Sequence, residues 1–538
     1  MNRRPTITGG GRWIGIVALV CLALGQGVTM VVTAFATRDV IGALRDGTGA
    51  IPANALITIA VAGLAIFALR SAEGAVGERT GQSYAAAIRR RLFLHMTKMP
   101  RSAMVDRRAG ATALRFVGDL TAFKGWVARG LARLISACVT IPAAFLILYL
   151  LEPRLALVAA GPIGLVMLAI YWLGNPLGVA HANLRKRRAR LAAAMAERLP
   201  QGIALRRSGR VKTELRALDS KSNEIIRAAV HRACLAETVR AMPDAAAGAA
   251  GALCLWVCLS LGLGVADAVA ALTALALIVW PLRHLADVRD RQQAFGVARA
   301  KLDAAFESPI MPHRTKAAAC PKAPAILVEN LRLPGLEPVN AQLARGEIKY
   351  LSGPPGSGKS WLLLMLAGLE MPTKGRIEVL GRDPEALSTG SCMYLGTHAP
   401  MLKGSLRRNL ILGTGRRPAD DELMIAIKQA GLSDLVARLG GLNGQLAEGA
   451  RNLTSTEKSG VLLTRGLISQ ASLMLIDADE IGLVGNTLQR LLEHCASIEA
   501  ACLVVTSAAP RIKGKVLQLR IPNDASCSSR GDQPLMAR

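Results

Sequence analysis

Hydrophobic positions fall in long unbroken blocks in the first half of this chain and in short blocks in the second. The first run extends from Trp13 to about Phe35, with Arg3, Arg4 and Arg12 ahead of it. About 20 helical residues, rising 1.5 Å each, cover a hydrocarbon layer of about 30 Å, so this run is long enough to span a membrane. Further runs cover Ala53 to Leu69, Leu134 to Leu151 and, after Glu152-Pro153-Arg154, Leu155 to Leu173. The last pair, Ala245 to Leu263 and Ala268 to Leu282, is expected to hinge around Asp267. The pattern predicts six spans, at 13–35, 53–69, 134–151, 155–173, 245–263 and 268–282. Between spans, Gln82 to Met99 and Arg185 to Arg240 keep apolar residues at helical spacing, and predict helical arms that reach beyond the bilayer. Asp287 to Phe306 continues as a charged helix, and the proline- and alanine-rich stretch at 307–324 reads as a linker.

In the second half the period changes. Glu347 to Leu351 reads as a strand and Trp361 to Ala367 as a buried helix. Between them lie Gly353, Pro354, Pro355, Gly356, Ser357, Gly358, Lys359 and Ser360, which fit the pattern G-x-x-x-x-G-K-[ST] in full. Glycines let the backbone turn so that its N–H groups, here from Gly356 to Ser360, converge on phosphate oxygens at a helix N-terminus. Lys359 is expected to reach the terminal phosphates and Ser360 to hold Mg²⁺. The expected ligand is therefore a nucleoside triphosphate with its metal.

Composition locates this chemistry at a membrane. Of 538 residues 51% are hydrophobic, and the formal net charge is +28; a mean hydropathy of +0.33 is high for a soluble enzyme. The charge sits in the long segments between spans two and three and between four and five: Arg89-Arg-Arg91, Arg107-Arg108, Arg185-Lys-Arg-Arg188 and Arg206-Arg207. In the short loops, Arg38 and Arg45 adjoin Asp39 and Asp46, Arg154 is close to Glu152, and Asp267 has no basic neighbour in sequence. This asymmetry predicts cytoplasmic arms and cytoplasmic termini. Nucleic-acid binding would need basic residues on one soluble face, interleaved with aromatics, and no such partner is expected. The ten cysteines show no C-x-x-C pair or metal spacing. No cleavable leader is expected, because the run after Arg12 is too long for one.

The chain resembles the exporter-type ATP-binding-cassette half-transporters. The resemblance rests on Arg90-Arg91-Leu-Phe, Gly110, Arg115, Asp119 and Trp126-Val-Ala-Arg-Gly-Leu in the first arm, and on Glu197 and Gly202-Ile203 in the second. In the second half it rests on the phosphate loop, Leu366-Ala-Gly-Leu, Pro372, Gly375, Ile377, Gly381, Gly404-Ser-Leu-Arg-Arg-Asn-Leu410 and Leu473-Met-Leu-Ile-Asp477. It implies a multidomain chain: an all-α six-span transmembrane domain at 13–306, then an α/β P-loop ATP-binding-cassette domain at 325–522. An N-terminal cytoplasmic stretch at 1–12 and a disordered tail at 523–538 complete it. The implied cofactors are ATP and Mg²⁺, with Ser360 and Asp477 as metal ligands. The implied partners are the lipid bilayer of the cell inner membrane, a second half-transporter subunit and a transported substrate that the sequence does not identify.

The departures from the family pattern carry the functional reading. Where the resemblance places a water-polarising Glu after Asp477, the chain has Ala478, and the side chains of Asp479 and Glu480 are expected to point elsewhere. Where the family has Leu-Ser-Gly-Gly-Gln, the chain has Leu453-Thr-Ser-Thr-Glu457, so Cβ atoms and a negative charge are expected beside a γ-phosphate. The loop glutamine falls on Thr397, with His398 beside it, and the switch histidine on Ser507 or Ala508; the adenine-stacking aromatic near Leu331 to Pro334 is missing. Losing a general base alone costs about 10²- to 10⁴-fold in rate. The expected protein binds Mg-ATP, hydrolyses it weakly and takes part in export, more readily as a heterodimer than as a homodimer. The alternative is a pseudo-ATPase in which ATP binding regulates conformation or a partner.

Overall fold

The computed structural model describes residues 5–45, 53–105, 120–312, 315–333, 337–507 and 515–519. Arg3, Arg4, Asp46, Arg107-Arg108, Gly110, Arg115, Asp119, Pro334, Ala508 and the tail lie outside the described residues. The chain divides into two units.

The first unit is helical. Its long helices are α1 (Arg12–Arg45), α2 (Ala53–Met96), α3 (Leu120–Leu151), α4 (Pro153–Arg198), α5 (Val211–Leu261) and α6 (Val265–Phe306). Each is long and apolar enough to cross a membrane. Large apolar side chains face outward: Leu64, Phe67, Leu157, Leu165 and Leu259 are all exposed. The inward faces are lined by small residues, including Ala137, Ala144, Ala159, Ala250, Ala271 and Ala274. This inversion suits a lipid solvent, where close backbone approach replaces burial of bulky side chains as the source of packing. At Gly77, an added Cβ would stand 2.4 Å from the Ala128 carbonyl oxygen, opposite the π-helical turn Trp126–Leu131 of α3.

Two features differ from the expectation. The hinge between the last two spans lies at Gly262–Gly264, where Gly262 caps α5 in the left-handed conformation, and not at Asp267. Asp267 instead occupies the first turn of α6, and its carboxylate accepts from Arg38 Nε at 2.7 Å. Glycine wins because only it ends a helix at positive φ without strain. The second arm breaks at Leu199–Gln201 and again near Gly209 (φ +68°), which folds the α4 and α5 extensions back on one another.

The second unit comprises 309–538 together with the segment Lys98–Asp106. Its centre is a parallel sheet in the order β10-β3-β9-β8-β5, with β3 Ile348–Ser352, β5 Cys392–Leu395, β8 Leu473–Asp477, β9 Ala501–Val505 and β10 Lys515–Gln518. Beside it is an antiparallel sheet of β1 (Ile326–Leu331) between β2 (Val339–Leu343) and β4 (Arg376–Val379). β8 and β9 are buried along their whole length, as a parallel sheet covered on both faces requires. The helices that matter below are α7 (Lys359–Leu366), α8 (Ser455–Ile468) and α9 (Asn486–Ser497).

The stretch read as a linker is partly built into this unit. Ala317 N–H donates to Ala386 O (2.7 Å), Cys320 N–H donates to Leu380 O (2.9 Å), and Arg345 donates to the Cys320 carbonyl. It has no periodicity because its backbone groups are satisfied singly by the domain it runs along. A buried polar pair anchors the segment after β5. Asn409 holds Leu402 through both its side-chain donor and acceptor, and Arg465 of α8 donates to the Asn409 and Pro400 carbonyls at 2.6 and 2.8 Å.

Candidate nucleotide site

Strand register sets the site. Leu351 of β3 and Asp477 of β8 both pair with Val505 of β9, so the start of the phosphate loop and Asp477 lie level, one strand apart. Both stand at the C-terminal edge of a parallel sheet, where ligands bind in α/β folds. Gly356 (φ +80°) and Gly358 (φ +75°) take left-handed conformations, and Gly358 caps α7. Lys359 then lies back across the loop, its Nζ donating to the carbonyls of Gly353 (2.8 Å) and Pro354 (2.9 Å). Ser357 is buried with its hydroxyl unpartnered, and a Cβ on Gly353 would stand 2.8 Å from it.

Asp477 is buried, and its Oδ2 has no hydrogen-bond partner. Burial pushes its carboxyl above the usual range, and the nearby Ser360 hydroxyl pulls it part of the way back. An orphaned, desolvated carboxylate oxygen beside a hydroxyl at a phosphate loop fits Mg²⁺, a hard cation that takes oxygen ligands. Ser360 and Asp477 would hold the ion, and it would neutralise charge on the β- and γ-phosphates. Lys359 and the N–H groups of the loop would orient the phosphates. The residues present therefore fit the cofactor pair.

The carboxylates after Asp477 do not simply turn away. Glu480 accepts from the Thr397 hydroxyl at 2.6 Å, and Asp479 accepts from the Ser507 N–H (2.9 Å) and hydroxyl (3.1 Å). Each is thereby tied to a loop position at which the resemblance places a glutamine or a histidine. Ala478 is fully buried, packed in an apolar cluster with Ile481, Leu488 and Leu491. His398 is half-buried, and that burial lowers its pKa.

Glu457 has local partners that the alignment did not indicate. Thr454 and Glu457 form a capping box on α8: Glu457 N–H donates to Thr454 Oγ1, and Thr454 N–H donates to Glu457 Oε2 at 2.7 Å. Arg438 donates to its other oxygen at 2.5 Å. The Thr454 N–H, with Arg438 assisting, holds the carboxyl below its usual range. A T-x-x-E sequence at a helix start satisfies two orphan donors at once. Ser455 and Thr456 remain exposed on the first turn. On the β1 side, Leu331 and Leu333 are buried, and Leu333 lies 3.7 Å from where a Cβ on Gly358 would stand.

Sequence reasoning did not find the contact made by Glu370. This buried carboxylate follows α7 and accepts from both the N–H (2.7 Å) and the hydroxyl (3.0 Å) of Ser102, in the short helix Arg101–Val105. No spacing rule links two residues so far apart in sequence.

Fold and site together define an ATP-binding cassette joined to a six-helix membrane region. Residues 13–282 match the ABC transporter transmembrane region and residues 336–479 match the ABC transporter domain. The chain belongs to the ABC transporter family as a half-transporter, a multi-pass membrane protein with one ATP-binding domain; half-transporters of this kind generally dimerise. It is 27% identical to the glutathione/L-cysteine transport system ATP-binding/permease protein CydD of Escherichia coli, over 80% of this chain and 78% of that one. It is 27% identical to the mycobactin import ATP-binding/permease protein IrtB of Mycolicibacterium thermoresistibile over 42% of the chain, which spans 41% of that relative's length. A bacterial Atm1-family ABC exporter with ATP bound superposes with a TM-score of 0.78 at 19% identity, covering 95% of this chain and 93% of that one.

Proposed function

We propose that this protein is an inner-membrane subunit of a heterodimeric exporter, in which its own cassette binds Mg-ATP and hydrolyses it slowly. One observation carries this reading. The groups that would hold phosphate and metal (Lys359, Ser360 and Asp477) lie together at the phosphate loop, while the position expected to polarise water, Ala478, is a fully buried alanine. A subunit that binds without cleaving is useful where a partner supplies the missing glutamate and signature glycines. The arginine-rich arms support a cytoplasmic cassette by the positive-inside rule.

The relatives differ in cargo and direction, one named for glutathione and cysteine transport and others for mycobactin import, so the cargo is left to experiment. The test is transport into inverted membrane vesicles. ATP-dependent uptake is expected only when this chain is co-expressed with a half-transporter that carries an intact glutamate and signature. Uptake by this chain alone would refute the heterodimer reading. No uptake with any partner, alongside retained ATP binding, would favour a regulatory membrane protein.

A further inference from the structure

Phe, Tyr and Trp are scarce in the second unit. From 309 to 538 the sequence has only Tyr350, Trp361 and Tyr394, and the segment Lys98–Asp106 has none. Two of the three are committed to the fold. Tyr350 is buried in β3. Tyr394 lies on β5, which is separated from β3 by β9 and β8, and its hydroxyl is buried. Trp361 differs from both. It is 37% exposed on the first turn of α7, whereas Leu362, Leu363, Leu364, Met365 and Leu366 behind it are all buried. The end of β1 has no aromatic to offer, because residues 331–336 read Leu-Arg-Leu-Pro-Gly-Leu and both Leu331 and Leu333 are buried.

Trp361 also has a defined place relative to the phosphate loop. The Leu362 N–H makes the first bond of the α7 ladder, to the Gly358 carbonyl at 2.9 Å. The N–H groups of Lys359, Ser360 and Trp361 therefore precede that ladder and belong to the helix start that receives phosphate. Ser360 is beside Asp477 at the metal position, and Trp361 is the next residue of the turn. An indole there presents a flat apolar face, and every nucleobase has a face that stacks on one. We infer that Trp361 is the platform for the base of the bound nucleotide. In this arrangement the terminal phosphates and metal lie at Lys359, Ser360 and Asp477, the ester end of the phosphate chain lies at the Trp361 N–H, and the base rests on the indole. Stacking reads the face of a base and not its edge, so it favours a nucleotide over inorganic phosphates without selecting one base strictly. The inference rests on the nucleotide-binding reading of this site, and its test separates the two.

The experiment measures thermal unfolding of the full-length protein in nanodiscs, titrated in parallel with Mg-ATP and with Mg-tripolyphosphate, which has the phosphates without the base. The parent is expected to bind Mg-ATP more tightly. Trp361→Leu should weaken the apparent Mg-ATP affinity by about tenfold, as loss of a stacking partner does, and leave that for tripolyphosphate unchanged. Trp361→Phe should keep most of the Mg-ATP affinity, whereas Lys359→Ala should lose both ligands. A second measurement uses the unmodified protein, so it does not depend on how a variant folds. 2-Azido-ATP, whose reactive group is on the base, should label the tryptic peptide Ser360–Lys374. Equal loss of both ligands in Trp361→Leu, Mg-ATP binding by it that is unchanged or tighter, or label confined to other peptides would overturn the proposal. A parent that binds Mg-ATP and tripolyphosphate alike would overturn it too, while leaving the phosphate site standing. A parent that binds neither would overturn both readings.

Discussion

Lys359→Ala is expected to abolish labelling by a photoreactive ATP analogue while expression and membrane insertion stay at parental levels. Its ammonium is held at the loop mouth by two carbonyls, and ATP binding would exchange these for phosphate oxygens. Each charge-assisted hydrogen bond contributes about 1.5–3 kcal/mol, so losing two should weaken binding by about a hundredfold or more. The loop geometry should survive, because the left-handed glycines and Gly358 at the helix cap set it independently of the lysine. Undiminished labelling of the mutant would show that nucleotide binds elsewhere.

Asp477→Asn should act in opposite directions on the empty and the loaded protein. The folded carboxyl titrates above the unfolded value of about 3.9, so burying its charge opposes folding. Below the unfolded value the group is neutral in both states and there is no cost. As pH rises through the folded value the cost develops fully. An uncompensated buried group of this kind costs about 1–3 kcal/mol, which asparagine relieves in part. The nucleotide-free mutant should therefore melt higher than the parent at neutral pH, with the gap closing in acid. Stabilisation by Mg-ATP over metal-free ATP should disappear in the mutant, because the ligand oxygen is gone. A mutant that melts lower when empty would show that the hydrogen bonds Asp477 accepts from Ser360 and the Glu480 N–H outweigh the cost of its buried charge, and one that keeps its Mg²⁺ dependence would show that Asp477 does not hold the metal.

The membrane unit and the phosphate loop were legible because both are patterns of contiguous residues. An apolar block of about 20 residues and a glycine-rich strand-to-helix turn are short-range signals. The hinge was missed because an isolated Asp suggests a loop, whereas two nearby glycines set the backbone and Asp267 found Arg38 across the bundle. The capping box of Thr454 and Glu457 was not read because alignment assigns a position and does not say what the side chain is hydrogen-bonded to. The ties of Glu480 to Thr397 and of Asp479 to Ser507 join segments far apart in sequence, as does Glu370 to Ser102.

The burial of Ala478 makes the account of a binding but weakly hydrolysing cassette specific. Ala478→Glu would put a carboxylate at a fully buried position next to an apolar cluster, so it should lower stability without restoring activity. The deciding measurement is steady-state ATP hydrolysis by the purified full-length protein in liposomes, at Mg-ATP concentrations that saturate binding. The account predicts turnover about 10²- to 10⁴-fold below that of an intact half-transporter assayed alongside, unchanged by Ala478→Glu. Vanadate-sensitive turnover at the intact enzyme's rate by the unmodified chain alone would contradict it, and would point to Glu480, held by Thr397, as the base.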